Sequence, residues 1–417
     1  MAHEETNGTD RRTFLQASVA AAAVATSVSA SPAMATMAAE TAKAAVLPKR
    51  KLGKTGVEMT LLNMGTGALR DAGALGRLIR LSYANGVRTF DTANKYGTEP
   101  GFKKWFESAP EVRKQIVLVT KDEIATPKQM LKGIDDRLAA LGTDYVDFYF
   151  LHGLGDDHTL DEAISIVKSQ ELKEVSEQIK KSGKARFIGF STHHRDRAQI
   201  IQAAAEGGIV DAIMLQYTPW LEKDSPLNKA LDACWEKGIG LISMKQVAGQ
   251  FPAKPKMNVL EEVVKRAPML AEKGLTPYQG LLQAIWTDER ISASCVSIKT
   301  TEQLREDSDA ARRYEPLKKA EIEQLRDAAL AFGPTMCADC DGRCSVAAGT
   351  KAELGNLTRF LTYHEHHGIR QEARRQFAAM APEARDWKGA DLDAARAACP
   401  NKLDFAALLP ECERHLA

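Results

Sequence analysis

Val146-Asp147-Phe148-Tyr149-Phe150-Leu151-His152 is the stretch that decides the fold. Its apolar residues occupy both faces of an extended run, as in a parallel strand covered on both sides. The run is too short for a buried helix and ends abruptly in a histidine. Outward from it, runs of the same style occur at Leu61–Gly65, Arg88–Ala93, Ile116–Lys121, Ala185–Ser191, Ala212–Tyr217, Gly240–Lys245 and Ile291–Ile298. Amphipathic stretches separate them. Gly73–Asn85 carries Leu75, Leu78, Ile79 and Tyr83 at near-helical spacing, and Pro127–Leu141 opens with proline in its first turn. Gly86, Gly142, Gly183, Gly207 and Gly238 each stand between a helix pattern and the next strand, where helices stop. Eight successive βα units predict an α/β chain closed into a (β/α)8 TIM barrel. An open doubly wound sheet would begin with a glycine-rich fingerprint. Gly65-Thr66-Gly67 is followed by Leu69 and Arg70, without the third glycine.

The barrel spans residues 49–315 and opens with a small hairpin over Lys49–Met59. Residues 36–48 read as a linker. Residues 316–417 begin with a solvated helix, Pro316–Phe332, and continue in helical patterns, predicting a small helical C-terminal domain. A net charge of +1 and 27% charged residues exclude the strongly basic signature of a nucleic-acid binder. Residues 1–35 have the layout of a cleavable signal: Asp10-Arg11-Arg12-Thr13-Phe14-Leu15-Gln16, an uncharged Ala/Val/Ser run, then Ala33-Met34-Ala35. The paired arginines resemble a twin-arginine signal, which implies the twin-arginine translocation machinery as partner and a periplasmic or otherwise exported location. An uncleaved anchor is the alternative, although Ala and Ser give the run little drive into lipid.

Barrel enzymes place their chemistry at the C-terminal ends of strands. Asp91, Lys121 and His152 all fall there, and Tyr96 lies in the loop after Asp91. A tyrosine hydroxyl can give a proton to a carbonyl oxygen. A lysine nearby would lower its pKa, an aspartate would orient the lysine, and a histidine could hold the oxygen. Phe90-Asp91-Thr92-Ala93-Asn94-Lys95-Tyr96-Gly97, Val119-Thr120-Lys121, Leu151-His152, Gly189-Phe190-Ser191 and Gln216-Tyr217 resemble the aldo-keto reductase family over residues 49–307. The resemblance implies these same catalytic roles for Asp91, Tyr96, Lys121 and His152. It also implies a nicotinamide cofactor, NADP or NAD, whose amide meets Ser191 and Gln216. The segment Ser297–Asp307 lacks the family's glycine and has Asp307 for its asparagine, but Lys299 and Arg305 could still face phosphates.

Cys337, Cys340 and Cys344 form C-x₂-C-x₃-C, and Cys399-Pro400 follows. Soft thiolates at this spacing, with a Cys-Pro, suit one [4Fe-4S] cluster, and the segment resembles the ferredoxin-like module fused to some aldo-keto reductases. Zinc, helped by His364, His366 and His367, and disulfides are the alternatives. Cys412 reads as spare. The expected protein is an exported oxidoreductase acting on a small carbonyl or alcohol, with a redox partner protein for its cluster. The alternative is an iron–sulfur electron-transfer or binding protein whose barrel no longer reduces carbonyls.

Overall fold

The computed structural model describes residues 45–69, 71–246, 257–331, 335–337, 340, 342–367 and 370–417, without the side chains of residues 72, 257–260, 366 and 367. The segment expected to be an export signal, residues 1–35, lies outside them. Eight parallel strands close a barrel: β3 (Leu62–Gly65), β4 (Thr89–Asp91), β5 (Val117–Asp122), β6 (Val146–Leu151), β7 (Ala185–Thr192), β8 (Ala212–Gln216), β9 (Gly240–Met244) and β10 (Ile291–Ser297). Each pairs with its sequence neighbour, and β10 closes on β3 with Ser294 opposite Leu62 and Ser297 opposite Gly65. The hairpin of β1 (Lys49–Lys51) and β2 (Glu58–Thr60) pairs antiparallel.

Alternation along the strands sorts the side chains. Val119, Phe148, Phe150, Ala212, Met214, Ile242, Met244 and Ala293 fill the barrel, and Leu52, Val57 and Met59 join them from the hairpin. The opposite strand faces, with Leu62, Met64, Phe90, Leu118, Tyr149, Leu151, Ile188 and Phe190, pack against the surrounding helices. Both faces are therefore buried. This is why the strand sequences are almost continuously apolar. At roughly 25 cal/mol per Å² of apolar surface, that double burial is the main force closing the ring.

Helix ends are set locally. Thr159 and Glu162 form a reciprocal cap at the start of Leu160–Lys168, and Thr276 with Gln279 does the same for Pro277–Thr287. The helix Lys319–Ala331 buries Leu325, Ala328 and Ala329 in the same core as the barrel helices. A second core begins at Met336 and runs to Leu416. It is built by helices including Leu354–Thr362, Leu392–Ala398 and Phe405–Leu416, and no strand occurs among the described residues of this region. Tyr363 ties it to the barrel, its hydroxyl donating to the carbonyl of His193 at 2.6 Å. Arg326 donates to the carbonyl of Pro400 at 3.0 Å.

Candidate active site

The sequence places one polar residue at or just beyond the end of several strands, and closure of the barrel brings those ends together. Asp91 ends β4 and Lys121 lies near the end of β5, one strand over. Lys121 Nζ stands 2.6 Å from Asp91 Oδ2 and donates to the carbonyl of Thr92 at 2.9 Å. Both side chains are sealed, at 1% and 3% exposure. Burial pushes the Asp91 carboxyl upward, and the Lys121 charge opposes that shift. Cys295, on β10, lies beside Asp91 and also opposes the upward shift.

Tyr96 sits in the single turn Asn94–Tyr96 that follows β4. Its ring lies over Gly67, where a Cβ would come within 2.9 Å of the ring, so a side chain there would displace the tyrosine. The edge of the Tyr96 ring meets His152, with centroids 5.4 Å apart and planes at 90°. Tyr96 Oη is 3.3 Å from His152 Nε2, and Lys121 Nζ is 5.4 Å from the tyrosine ring centre. The structure thus brings Asp91, Tyr96, Lys121 and His152 into one cluster.

It also corrects one expectation about their electrostatics. Tyr96 is shifted well above the usual phenol range, not lowered by Lys121. Burial is the main cause, and the charges of Asp91, Cys295 and Glu123 add to it. The lysine is engaged by Asp91 and Thr92, which leaves it less able to favour a phenolate.

Residues absent from the sequence reading join the cluster. Glu123 Oε1 lies 2.7 Å from His152 Nδ1, on an approach oblique to the ring N–H, and 3.0 Å from Lys95 Nζ. Burial drives His152 down to about 3, against the pull of Glu123. For Glu123 burial acts upward, but contact with His152 and Lys95 outweighs it and brings the carboxyl to about 2. Asp156, in the loop after His152, is raised to about 7, chiefly by burial. Lys245 follows β9 with φ of 55°, a left-handed conformation rare outside glycine, and burial lowers it to about 8. A carboxylate two residues beyond Lys121 was a readable signal for Glu123. Nothing local in the sequence marks the other two.

Ser191, on β7, accepts from the backbone N–H of Gly153 at 3.1 Å. Gln216 ends β8 with its amide nitrogen and oxygen both buried and without a hydrogen-bond partner among the described residues. An amide so placed fits a partner carrying one donor and one acceptor, as a nicotinamide carboxamide does. Lys299 and Arg305 stand apart from this cluster, exposed around the start of the helix Thr301–Arg312. Tyr217 points away into the outer core, where its hydroxyl donates to Asp288 at 2.7 Å.

The cysteine region faces the same end of the barrel. Gln216, Thr218 and Trp220 share one cavity with Met336, Cys337 and Asn401. Cys340, Cys344 and Cys399 are buried, Cys337 is half-buried, and none is in a disulfide. Burial pushes Cys344 up to about 12, and the neighbouring Cys337, Cys340 and Cys399 add to that shift. Backbone N–H groups of Asn401, Lys402 and Leu403 point at Cys399, and that of Arg343 at Cys340. At Gly355 a Cβ would lie 2.8 Å from Cys337 Sγ, so glycine leaves a cradle beside the thiols. No group of three or more His, Cys, Asp or Glu side chains among the described residues is already arranged to hold a metal ion. Cys412 is separate, donating to the carbonyl of Leu357. Of the histidines weighed for zinc, His364 is buried, and the side chains of His366 and His367 lie outside the described residues.

Comparison with known proteins follows this geometry. Residues 62–329 match the model of the Aldo/keto reductase family. The L-glyceraldehyde 3-phosphate reductase of Escherichia coli (strain K12) is 23% identical over 331 residues, covering 66% of this chain and 91% of its own. The NADPH-dependent alpha-keto amide reductase of Saccharomyces cerevisiae is 30% identical over 144 residues, covering 34% of this chain and 44% of its own. Among solved structures, the holo form of aldo-keto reductase AKR11C1 from Bacillus halodurans superposes with a TM-score of 0.53 at 21% identity, over 68% of this chain and 96% of that one. These relatives also overturn the expected periplasmic or exported location. They are reductases and oxidoreductases, some named for NADP or NADPH, a soluble cofactor scarce outside the cytoplasm, and they argue against twin-arginine export. No helix of the described residues is long and apolar enough to cross a membrane.

Proposed function

Because the chain belongs to the aldo/keto reductase family and is an NAD(P)-dependent oxidoreductase of carbonyl and alcohol substrates, we propose that Asp91, Tyr96, Lys121 and His152 are its catalytic centre. The observation that carries this reading is the sealed Lys121–Asp91 pair beneath the Tyr96–His152 contact at the mouth of the barrel. In carbonyl reduction the bound nicotinamide supplies the hydride. Tyr96 gives its hydroxyl proton to the carbonyl oxygen, and the Lys121 ammonium, although engaged by Asp91, offsets part of the charge of the phenolate left behind. Ser191 and Gln216 hold the carboxamide of NADP or NAD, and Lys299 and Arg305 hold its phosphates. The test is Tyr96→Phe, assayed for substrate-dependent NAD(P)H oxidation with nicotinamide binding measured in parallel. Turnover falls on the order of 100-fold or more while binding persists. Full turnover in the variant would remove Tyr96 as the acid.

A second proposal concerns the C-terminal region, residues 316–417 by the sequence division. Cys337, Cys340, Cys344 and Cys399 hold one [4Fe-4S] cluster. The soft donor set, the mutual proximity of the thiols, the N–H groups aimed at Cys399 and the cradle at Gly355 support it. A bound cluster supplies one-electron chemistry, which a redox partner protein would serve. Anaerobic purification followed by iron, sulfide and zinc analysis tests this. A colourless protein with stoichiometric zinc overturns it. The alternative of a barrel that no longer reduces carbonyls gives way to the oxidoreductase assignment.

A further inference from the structure

Three consecutive residues of the turn after β4 are each tied to a different element. Tyr96 meets His152, Lys95 pairs with Glu123, and Asn94 Oδ1 accepts from Arg137 at 2.6 Å. The Lys95–Glu123 pair is largely in water, and an exposed pair holds little. Arg137 is different. It stands on the helix Met130–Leu141 with 11% of its side chain exposed, and three acceptors share its guanidinium. The nitrogen that bonds Asn94 also donates to Glu99 Oε2 at 2.6 Å, and Nε lies 3.3 Å from Asp122 Oδ2. Both carboxylates are themselves fixed. Glu99, the first residue of the helix Glu99–Ser108, accepts from Thr120 Oγ1 at 2.7 Å, and Asp122 accepts from Tyr149 Oη at 2.8 Å. Burial pushes both carboxyls upward, and Arg137 opposes the shift at each.

Thr120 and Asp122 flank Lys121 on β5. Lys121 has the parity of Val119, which fills the barrel, so its two neighbours point to the outer face. One guanidinium therefore grips the outside of the strand whose inside holds Lys121, together with the turn that carries Tyr96. Its planar fork meets several acceptors at fixed angles, which the point charge of a lysine does not. We propose that Arg137 is a positioning residue that sets the Tyr96 hydroxyl against Lys121 by clasping Asn94 from behind the site. The inference rests on the catalytic reading above. Proton transfer is steep in distance, and a misplacement of about 1 Å can cost on the order of 100-fold in rate. Arg137 lies on the outer side of the barrel wall, so loss of the clasp lowers kcat and leaves KM and nicotinamide affinity in place.

Asn94→Ala is the decisive variant, because it removes one acceptor and leaves Arg137 between its two carboxylates. Its kcat falls roughly tenfold or more, while KM and the nicotinamide Kd stay within about threefold of wild type. Asn94→Asp still accepts from the guanidinium and restores kcat to within about threefold of wild type. Arg137→Met loses kcat as Asn94→Ala does, and the double variant is no slower than the slower single one, because both remove the same link. Wild-type kcat in Asn94→Ala overturns the inference, as does a loss confined to KM, no recovery in Asn94→Asp, or losses that multiply in the double variant. Should Arg137→Met fail to fold, the two Asn94 variants decide alone. Failure of the catalytic reading is separate: it would appear as full turnover of Tyr96→Phe, whatever the Asn94 variants do.

Discussion

Lys121 Nζ lies 2.6 Å from Asp91 Oδ2, and neither side chain reaches solvent. The pair is a liability as well as a tool. Removing one partner leaves the other charge buried, which costs about 3–5 kcal/mol. Asp91→Asn is therefore expected to lose stability of that order in urea titration, and Lys121→Met likewise. The double variant should recover part of the loss, because it leaves no uncompensated charge. A loss below about 1 kcal/mol in both single variants would mean the pair is not closed as described.

Acid lowers stability through His152. Its folded pKa is about 3, below the ordinary value of 6.5, with Glu123, Lys121 and Lys95 facing it. Between those values the unfolded chain binds the extra proton, so stability rises with pH. The contribution is present above about 6.5 and is lost as pH falls toward 3. Glu123, lowered from 4.5 to about 2, works in the same direction over a more acid range. His152→Gln should flatten the dependence of Tm on pH between 6.5 and 3 relative to wild type. An unchanged difference across that window would place the acid sensitivity elsewhere.

Gln216 is expected to trade stability for binding. Its amide is buried with neither polar atom bonded among the described residues, a cost of roughly 1–3 kcal/mol. Gln216→Leu should hold or raise Tm while weakening nicotinamide binding at least tenfold in a fluorescence titration. Unaltered affinity would detach Gln216 from the cofactor.

Gly355→Ala would push a methyl group to 2.8 Å from Cys337 Sγ. Overpacking of this kind costs about 1–3 kcal/mol. The variant should retain less iron and sulfide per chain than wild type, read directly by elemental analysis after anaerobic purification. Equal content in both would show that the cradle does not serve the thiols.

By itself the amino-acid order determined the barrel. Double burial leaves a periodic mark, so each expected strand reappears with its ends moved by two residues at most, as when Arg88–Ala93 contracts to Thr89–Asp91. It also marked Asp91, Lys121 and His152 as candidates by their place at strand ends, with Tyr96 in the loop after Asp91. Only the tertiary structure decided how these four meet. Glu123 became the neighbour of His152, and Tyr96 was raised where a nearby lysine had suggested the reverse. Cys337 came to share a cavity with Gln216, far away in the chain. Strand periodicity is a local property. A pKa, an orphaned amide and a shared cavity depend on what the closed barrel brings together and on how much water it shuts out.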